Sequence, residues 1–129
     1  MTDKLELYFK AAQSAKIGIW KLDLHTNHVF WYTVTKSILE VSEDFEPILS
    51  SAIRFYTEGE NRDRIQSHID VAISKGIPFD DKFQITTAKN NIKYIECICQ
   101  IEMIDGKPAH LLGTFQDITN EQNLINELQ

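Results

Sequence analysis

Only two cysteines, Cys97 and Cys99, occur among 129 residues. So few exclude a disulfide framework. They are two apart, and in a strand such side chains point the same way, which places both thiols together in a core. Reduced, buried thiols suit a cytosolic chain. A surplus of positive charge is also lacking, since the net charge is −6. That argues against nucleic acid and against anionic lipid, both of which need Lys and Arg concentrated on one face. Mild acidity serves solubility. No apolar run approaches the roughly 18–20 residues of a membrane span. The polar opening Met1-Thr2-Asp3-Lys4 predicts no signal peptide. The expectation is a cytoplasmic fragment without membrane contact, any anchor lying in another part of the protein. Motifs that carry chemistry are missing as well. There is no nucleophile elbow, no Gly-rich phosphate loop and no His-Glu metal motif. The chain therefore reads as a non-enzyme.

What is present is a globular composition of one-domain length, 43% apolar and 25% charged. The residues alternate between two periodicities. Leu5, Tyr8, Phe9, Ala12 and Ala15 recur at helical spacing over 3–16. From Ile17 to Leu24 the period falls to two, with Gly18, Trp20, Leu22 and Leu24 on one face. Turn-type residues at 25–27 lead into a second strand over 28–33. Short helices follow over 35–41 and 47–56, with Pro47 suited to a first helical turn. Gly59 marks a loop at 57–60. A longer helix at 61–75 presents Ile65, Ile69, Ala72 and Ile73 on one face and stops at Gly76 before Pro78. Acidic Glu58, Glu60 and Asp63 near its start suit the helix dipole.

Three strands close the chain, at 79–88, 92–104 and 108–118. Ile95, Cys97, Cys99, Ile101 and Met103 share one face of the middle one. Asp105-Gly106 signals a tight hairpin. Thr119-Asn120-Glu121-Gln122 reads as a capping box that opens a last helix, striped with Leu124, Ile125 and Leu128. No stop signal precedes Gln129, which predicts a helix cut from a longer protein. Two strands and then three strands, split by helices, give an α+β class with one antiparallel sheet.

This order resembles the PAS (Per-Arnt-Sim) sensory fold, and particular residues carry the likeness. Residues 18–24, Gly-Ile-Trp-Lys-Leu-Asp-Leu, are similar to the opening strand of its Trp-containing PAS/PAC subfamily. Phe30-Trp31-Tyr32 matches the second strand, and Arg62-Asp63-Arg64 the helix after the long loop. Residues 113–119, Gly-Thr-Phe-Gln-Asp-Ile-Thr, match the ending in which a Gly-containing strand runs into an Asp-Ile-Thr junction. The likeness covers about residues 5–125. It implies a five-stranded antiparallel sheet in the order 2-1-5-4-3 with short helices on one face. The division is then an N-terminal flanking helix at 1–16, a PAS core at 17–118 and the start of a linker helix at 119–129.

Family members hold a ligand or cofactor between helices and sheet, or relay strain through a dimer. The inward sheet face here would be Trp20, Leu22, Phe83, Ile85, Ile95, Cys97, Cys99, Leu111 and Phe115, which become the ligand-pocket candidates. That face has almost no polar group to orient a ligand. A photoreactive flavin needs a Cys on the helix before the long loop. Residues 48–56 hold none, and Phe115 stands where such a domain carries Gln. A haem needs an axial ligand, but His68 falls at the edge of the apolar stripe and about one turn from the family's position. His25 and His28 are two ligands without a third, so no metal is expected. No cofactor is evident.

The resemblance implies a sensory or signal-relay domain of a larger bacterial signalling protein. Its output would be a GGDEF-type diguanylate cyclase, a histidine kinase or a transcription regulator. Asp117 and Thr119 are the relay candidates, with Asp117 anchoring the strand end and Thr119 capping the helix. The expected partners are a second copy through the flanking helices and a covalently linked effector. The alternative is a sensor holding a small apolar ligand in its core. A small cone-shaped α+β enzyme ranks last, because the inward face holds no ionisable pair.

Overall fold

The computed structural model describes residues 3–129, leaving Met1 and Thr2 of the expected flanking segment outside the described residues. The side chain of Leu5, assigned above to the first apolar stripe, also lies outside them. The element order is α1 (Asp3–Ser14), β1 (Ile17–Asp23), β2 (Val29–Trp31), α2 (Thr33–Leu39), α3 (Leu49–Ile53), α4 (Glu60–Lys75), β3 (Phe79–Thr86), β4 (Ile92–Ile104), β5 (Lys107–Asp117) and α5 (Thr119–Glu127). The strands form one antiparallel sheet in the order β2-β1-β5-β4-β3, as expected.

Alternation fixes the register. On β1, Gly18, Trp20 and Leu22 are buried and the residues between them are half-buried. Trp20 faces Gly113 on β5, and Leu22 faces Leu111. Across the other ladder Cys97 faces Phe115 and Cys99 faces Gly113. The β4–β5 hairpin turns through Asp105 (φ 52°) and Gly106 (φ 77°). Two consecutive left-handed residues are what a two-residue hairpin with the sheet's twist requires.

Helices α2, α3 and α4 lie over the inward face of the sheet, whereas α1 packs through Phe9 and Ala12 beside Ile17 and Ile19 on the other face. Ile65, Ile69 and Ala72 are buried, while Ile73 faces out. The helical stretch also protects both sheet edges, which would otherwise leave unpaired ladder groups. At the β3 edge the Gln84 N–H donates to Asn61 Oδ1 (2.8 Å), and the Thr86 N–H donates to the Phe55 carbonyl (2.8 Å). At the β2 edge His28 bridges to Ile48.

Three sequence expectations shift. The second strand is only three residues long, because α2 begins at Thr33 rather than Thr35. Pro47 lies outside α3, before its N-cap Ile48, and the Ile48 N–H donates to Ser51 Oγ (3.0 Å). The capping box at the last helix does not form. Ile118 is the N-cap, Thr119 is already helical, and Gln122 Nε2 donates forward to Asn126 Oδ1 (3.2 Å).

Candidate functional site

Between the helices and the sheet lies a cavity of about 60 Å³. From the three central strands, Trp20, Leu22, Cys97 and Phe115 line it. These are four of the nine pocket candidates read from the sequence. The other five, Phe83, Ile85, Ile95, Cys99 and Leu111, are buried in the surrounding core but do not line the cavity. The remaining wall comes from Val29 and Trp31 on β2, Leu39 on α2, Leu49, Ala52, Ile53, Phe55 and Tyr56 in and around α3, Ile65 and Ile69 on α4, and Phe79 on β3. Reading only strand alternation misses this half, since the α3 region has no clear period of its own.

Tyr56 matters most among the residues missed. It is buried, and it lines the cavity together with Cys97. Burial pushes the Tyr56 hydroxyl well above its usual range and the Cys97 thiol up to about 12, so both stay neutral. Burial likewise pushes the Cys99 thiol up to about 12. Thiols held this far from ionisation are poor nucleophiles. The only other polar group from the sheet wall, Trp20 Nε1, is committed to the Thr114 carbonyl (3.2 Å). The cavity is therefore apolar with one neutral polar pair.

His68 faces away from this space. Its Nε2 lies 2.9 Å from Asp81 Oδ2, and its ring stacks on Phe79 at 4.6 Å. Arg64 Nη1 donates to the same oxygen (2.7 Å), its Nε donates to Glu60 (2.8 Å), and its guanidinium lies over the Phe83 ring. Burial raises the Asp81 carboxyl, but the bonds from His68, Arg64 and the Lys82 amide outweigh it and hold the group below its usual value. The cluster is a clasp between α4 and β3. His25 is exposed and His28 packs edge-on against Phe30. Among the described residues no group of three His, Cys, Asp or Glu could hold a metal ion.

The strand-to-helix junction is the second notable arrangement. The Ile118 N–H donates to the Tyr94 carbonyl (2.8 Å), continuing the ladder one residue past β5. The Tyr94 N–H then donates to Thr119 Oγ1 (3.0 Å), so a side-chain hydroxyl takes the place of the next ladder partner. Thr119 Oγ1 donates to Asp117 Oδ1 (2.5 Å), and the Thr119 N–H donates to the same oxygen (2.9 Å). Asp117 thus satisfies a free N–H of the first turn, the capping function expected of Thr119. No helix among the described residues is long and apolar enough to cross a membrane.

No family model matches the chain. The sensor protein FixL of Bradyrhizobium diazoefficiens is 26% identical over 114 residues, covering 88% of this chain but only 22% of that protein. Among solved structures, a sensory box histidine kinase/response regulator from Burkholderia thailandensis superposes with a TM-score of 0.77 at 16% identity, over 94% of this chain and 91% of that one. The N-terminal domain of a diguanylate cyclase with PAS/PAC sensor from Marinobacter aquaeolei gives 0.74 at 13% identity, over 82% and 98%. The LOV protein of Rhodobacter sphaeroides gives 0.65 at 11% identity, over 85% and 67%. Strand order, edge-covering helices and these superpositions agree: the chain has the PAS-domain fold.

Proposed function

We propose that this chain is a sensory signalling domain that passes information through Asp117-Ile118-Thr119 into α5, for a histidine kinase or diguanylate cyclase output. The observation that carries the reading is the Thr119 hydroxyl standing in the β4 ladder. It ties the first turn of a helix to a central strand, so a shift of that strand changes the helix's direction or register. The relatives that share the fold include proteins named for both outputs. The test is a set of chimeras that join α5 to a histidine-kinase catalytic module, with the junction lengthened one residue at a time. Kinase activity should rise and fall with the roughly 3.6-residue helical repeat. Activity indifferent to junction length would sink the relay.

A second copy is the partner that suits the flanking helices. Leu7 and Tyr8 on α1 and Leu124, Ile125 and Leu128 on α5 are exposed, and Leu128 is 79% so. Pairing would bury these stripes. Sedimentation should show a dimer at high concentration, and a strict monomer would count against a dimer-based relay.

The cavity supports a second reading, a sensor for a small molecule. Its size does not suit a flavin or a haem, because sites for drug-sized ligands span about 300–1,000 Å³. The α3 segment has no Cys and His68 is engaged by Asp81, so neither group finds its usual attachment here. Native mass spectrometry and a visible spectrum of freshly expressed protein test this. A co-purifying mass of flavin or haem size would contradict the misfit, whereas a smaller mass would support the sensor.

A further inference from the structure

Two walls of the cavity are fastened by hydrogen bonds. The floor is a hydrogen-bonded sheet in which β5 is paired on both sides. The seam between α4 and β3 is held by the Arg64–Asp81–His68 clasp, whose charge-assisted bonds would all have to break. Between β2 and α3 the wall includes packed rings that no side-chain hydrogen bond fastens. Trp31 stacks on Phe45 (5.8 Å, 21°), and Phe55 stands edge-on to both, at 5.6 and 6.0 Å. All three are half-exposed. Phe45 is carried on the stretch between α2 and α3, which has no regular structure.

Phe55 is the shared wall. It lines the cavity and also an open surface groove, together with Phe45, Arg54 and Arg62. Phe45 lines the groove alone. At about 60 Å³ the cavity is smaller than the engineered space of about 150 Å³ that holds benzene. A ligand the size of benzene therefore fits only if a ring gives way. No charged side chain lines the cavity, and an unpaired charge would be costly there. Tyr56 and Cys97, which both line the cavity, are the polar groups a guest could meet.

We propose that the Trp31–Phe45–Phe55 cluster is the mouth of the core cavity, admitting small uncharged ligands with one hydrogen-bonding group that reaches Tyr56 and Cys97. The proposal rests on the reading of the cavity as a ligand site. Phe45 acts as a latch outside the cavity, and Phe55 as the door.

The test uses the intact 129-residue chain, with benzyl alcohol and benzoate as probes of equal ring size and different charge. Amide NMR titration gives affinity, and line shapes give exchange rates. Benzyl alcohol should shift the Tyr56, Cys97 and Phe115 amides, and benzoate should bind at least about a hundredfold more weakly. Phe45→Ala removes ring contacts outside the cavity. It should speed entry and release about tenfold, with affinity kept within about twofold. Asp81→Asn, which opens the clasp, should leave both rates unchanged. Benzoate binding as tightly as benzyl alcohol would overturn the ligand class. Rates that respond to Asp81→Asn and not to Phe45→Ala would move the mouth to the α4 seam while leaving the ligand site standing. If neither probe shifts cavity amides, even in Phe55→Ala, the ligand-site reading falls and the mouth with it.

Discussion

Replacing Thr119 by Val tests the junction with little change of shape. The β-branch is kept and only the hydroxyl is lost. Two bonds go with it, the one accepted from the Tyr94 N–H (3.0 Å) and the one donated to Asp117 (2.5 Å). Asp117 still receives the Thr119 amide and has water nearby, so its loss is small. The Tyr94 N–H is half-buried and left without its acceptor, which costs roughly 1–3 kcal/mol. About 2 kcal/mol is a fair central figure, equal to roughly a thirtyfold change in a local equilibrium. The cost should fall on α5 rather than on the sheet. The helix has nine residues and buries none of them, and isolated helices of under about 12–15 residues are marginal in water. Hydrogen exchange should therefore show Tyr94 and Ile118 losing about thirtyfold in protection. The Cα shifts over 120–127 should move toward coil, while Cys97 and Phe115 amides change less than about twofold. Thr119→Ser, which keeps the hydroxyl, should restore most of the protection. Loss spread evenly over the sheet, or unchanged protection at Tyr94, would refute the view that this hydroxyl fastens helix to strand.

Three other outcomes follow from the geometry. At Gly113 an added Cβ would sit 1.7 Å from the Ile98 carbonyl oxygen on β4, so Gly113→Ala must spread the β4–β5 ladder. A loss of roughly 3–5 kcal/mol is expected in urea unfolding, and a loss below about 1 kcal/mol would show that the strands yield freely. The Asp81 carboxyl is held below its ordinary 3.8. A lowered carboxyl adds stability above its ordinary value, and that stability fades as pH falls through the lowered value. Wild type should thus out-melt Asp81→Asn at pH 6, with the gap closing below about pH 4; a gap independent of pH would contradict the clasp. With both thiols at about 12, roughly one in ten thousand is ionised at pH 8. Iodoacetamide should leave Cys97 and Cys99 unmodified in the native chain and label both in urea, and rapid native labelling would mean the core opens readily.

The sheet was legible in the residues because a period of two leaves little freedom. Alternation placed Trp20, Cys97 and Phe115 inward, while the strand order came from the resemblance to the PAS fold and not from the period itself. Asp105-Gly106 announced its turn for the same local reason. The cavity was only half legible. Phe45, Phe55 and Tyr56 lie in and around a five-residue helix whose pattern is too short to show a face, and their role depends on which strand they meet. The junction shows a different failure. Thr119 followed by Gln122 has the spacing of a capping box, yet Tyr94, twenty-five residues earlier, draws the hydroxyl into the ladder instead. No reading of adjacent residues contains that competitor.

The two sites are separated by very little structure, and this bears on how they would be coupled. Phe115 lines the cavity, and Asp117, which caps α5, is two residues further along the same strand. Opposite them, Cys97 faces Phe115, and Ile95 faces Asp117 beside Tyr94. Strands that are paired on both sides deform together, because sliding one alone would break its ladder bonds. A guest that displaced Phe115 or Cys97 would thus act on the two strands that hold the first turn of α5. No long pathway is needed, only a junction whose bonds can be made in one strand position and strained in another. If so, Thr119→Val should uncouple α5 from cavity occupancy while leaving probe affinity intact. Chain-wide loss of affinity in that variant would show instead that helix and cavity are simply one cooperative unit.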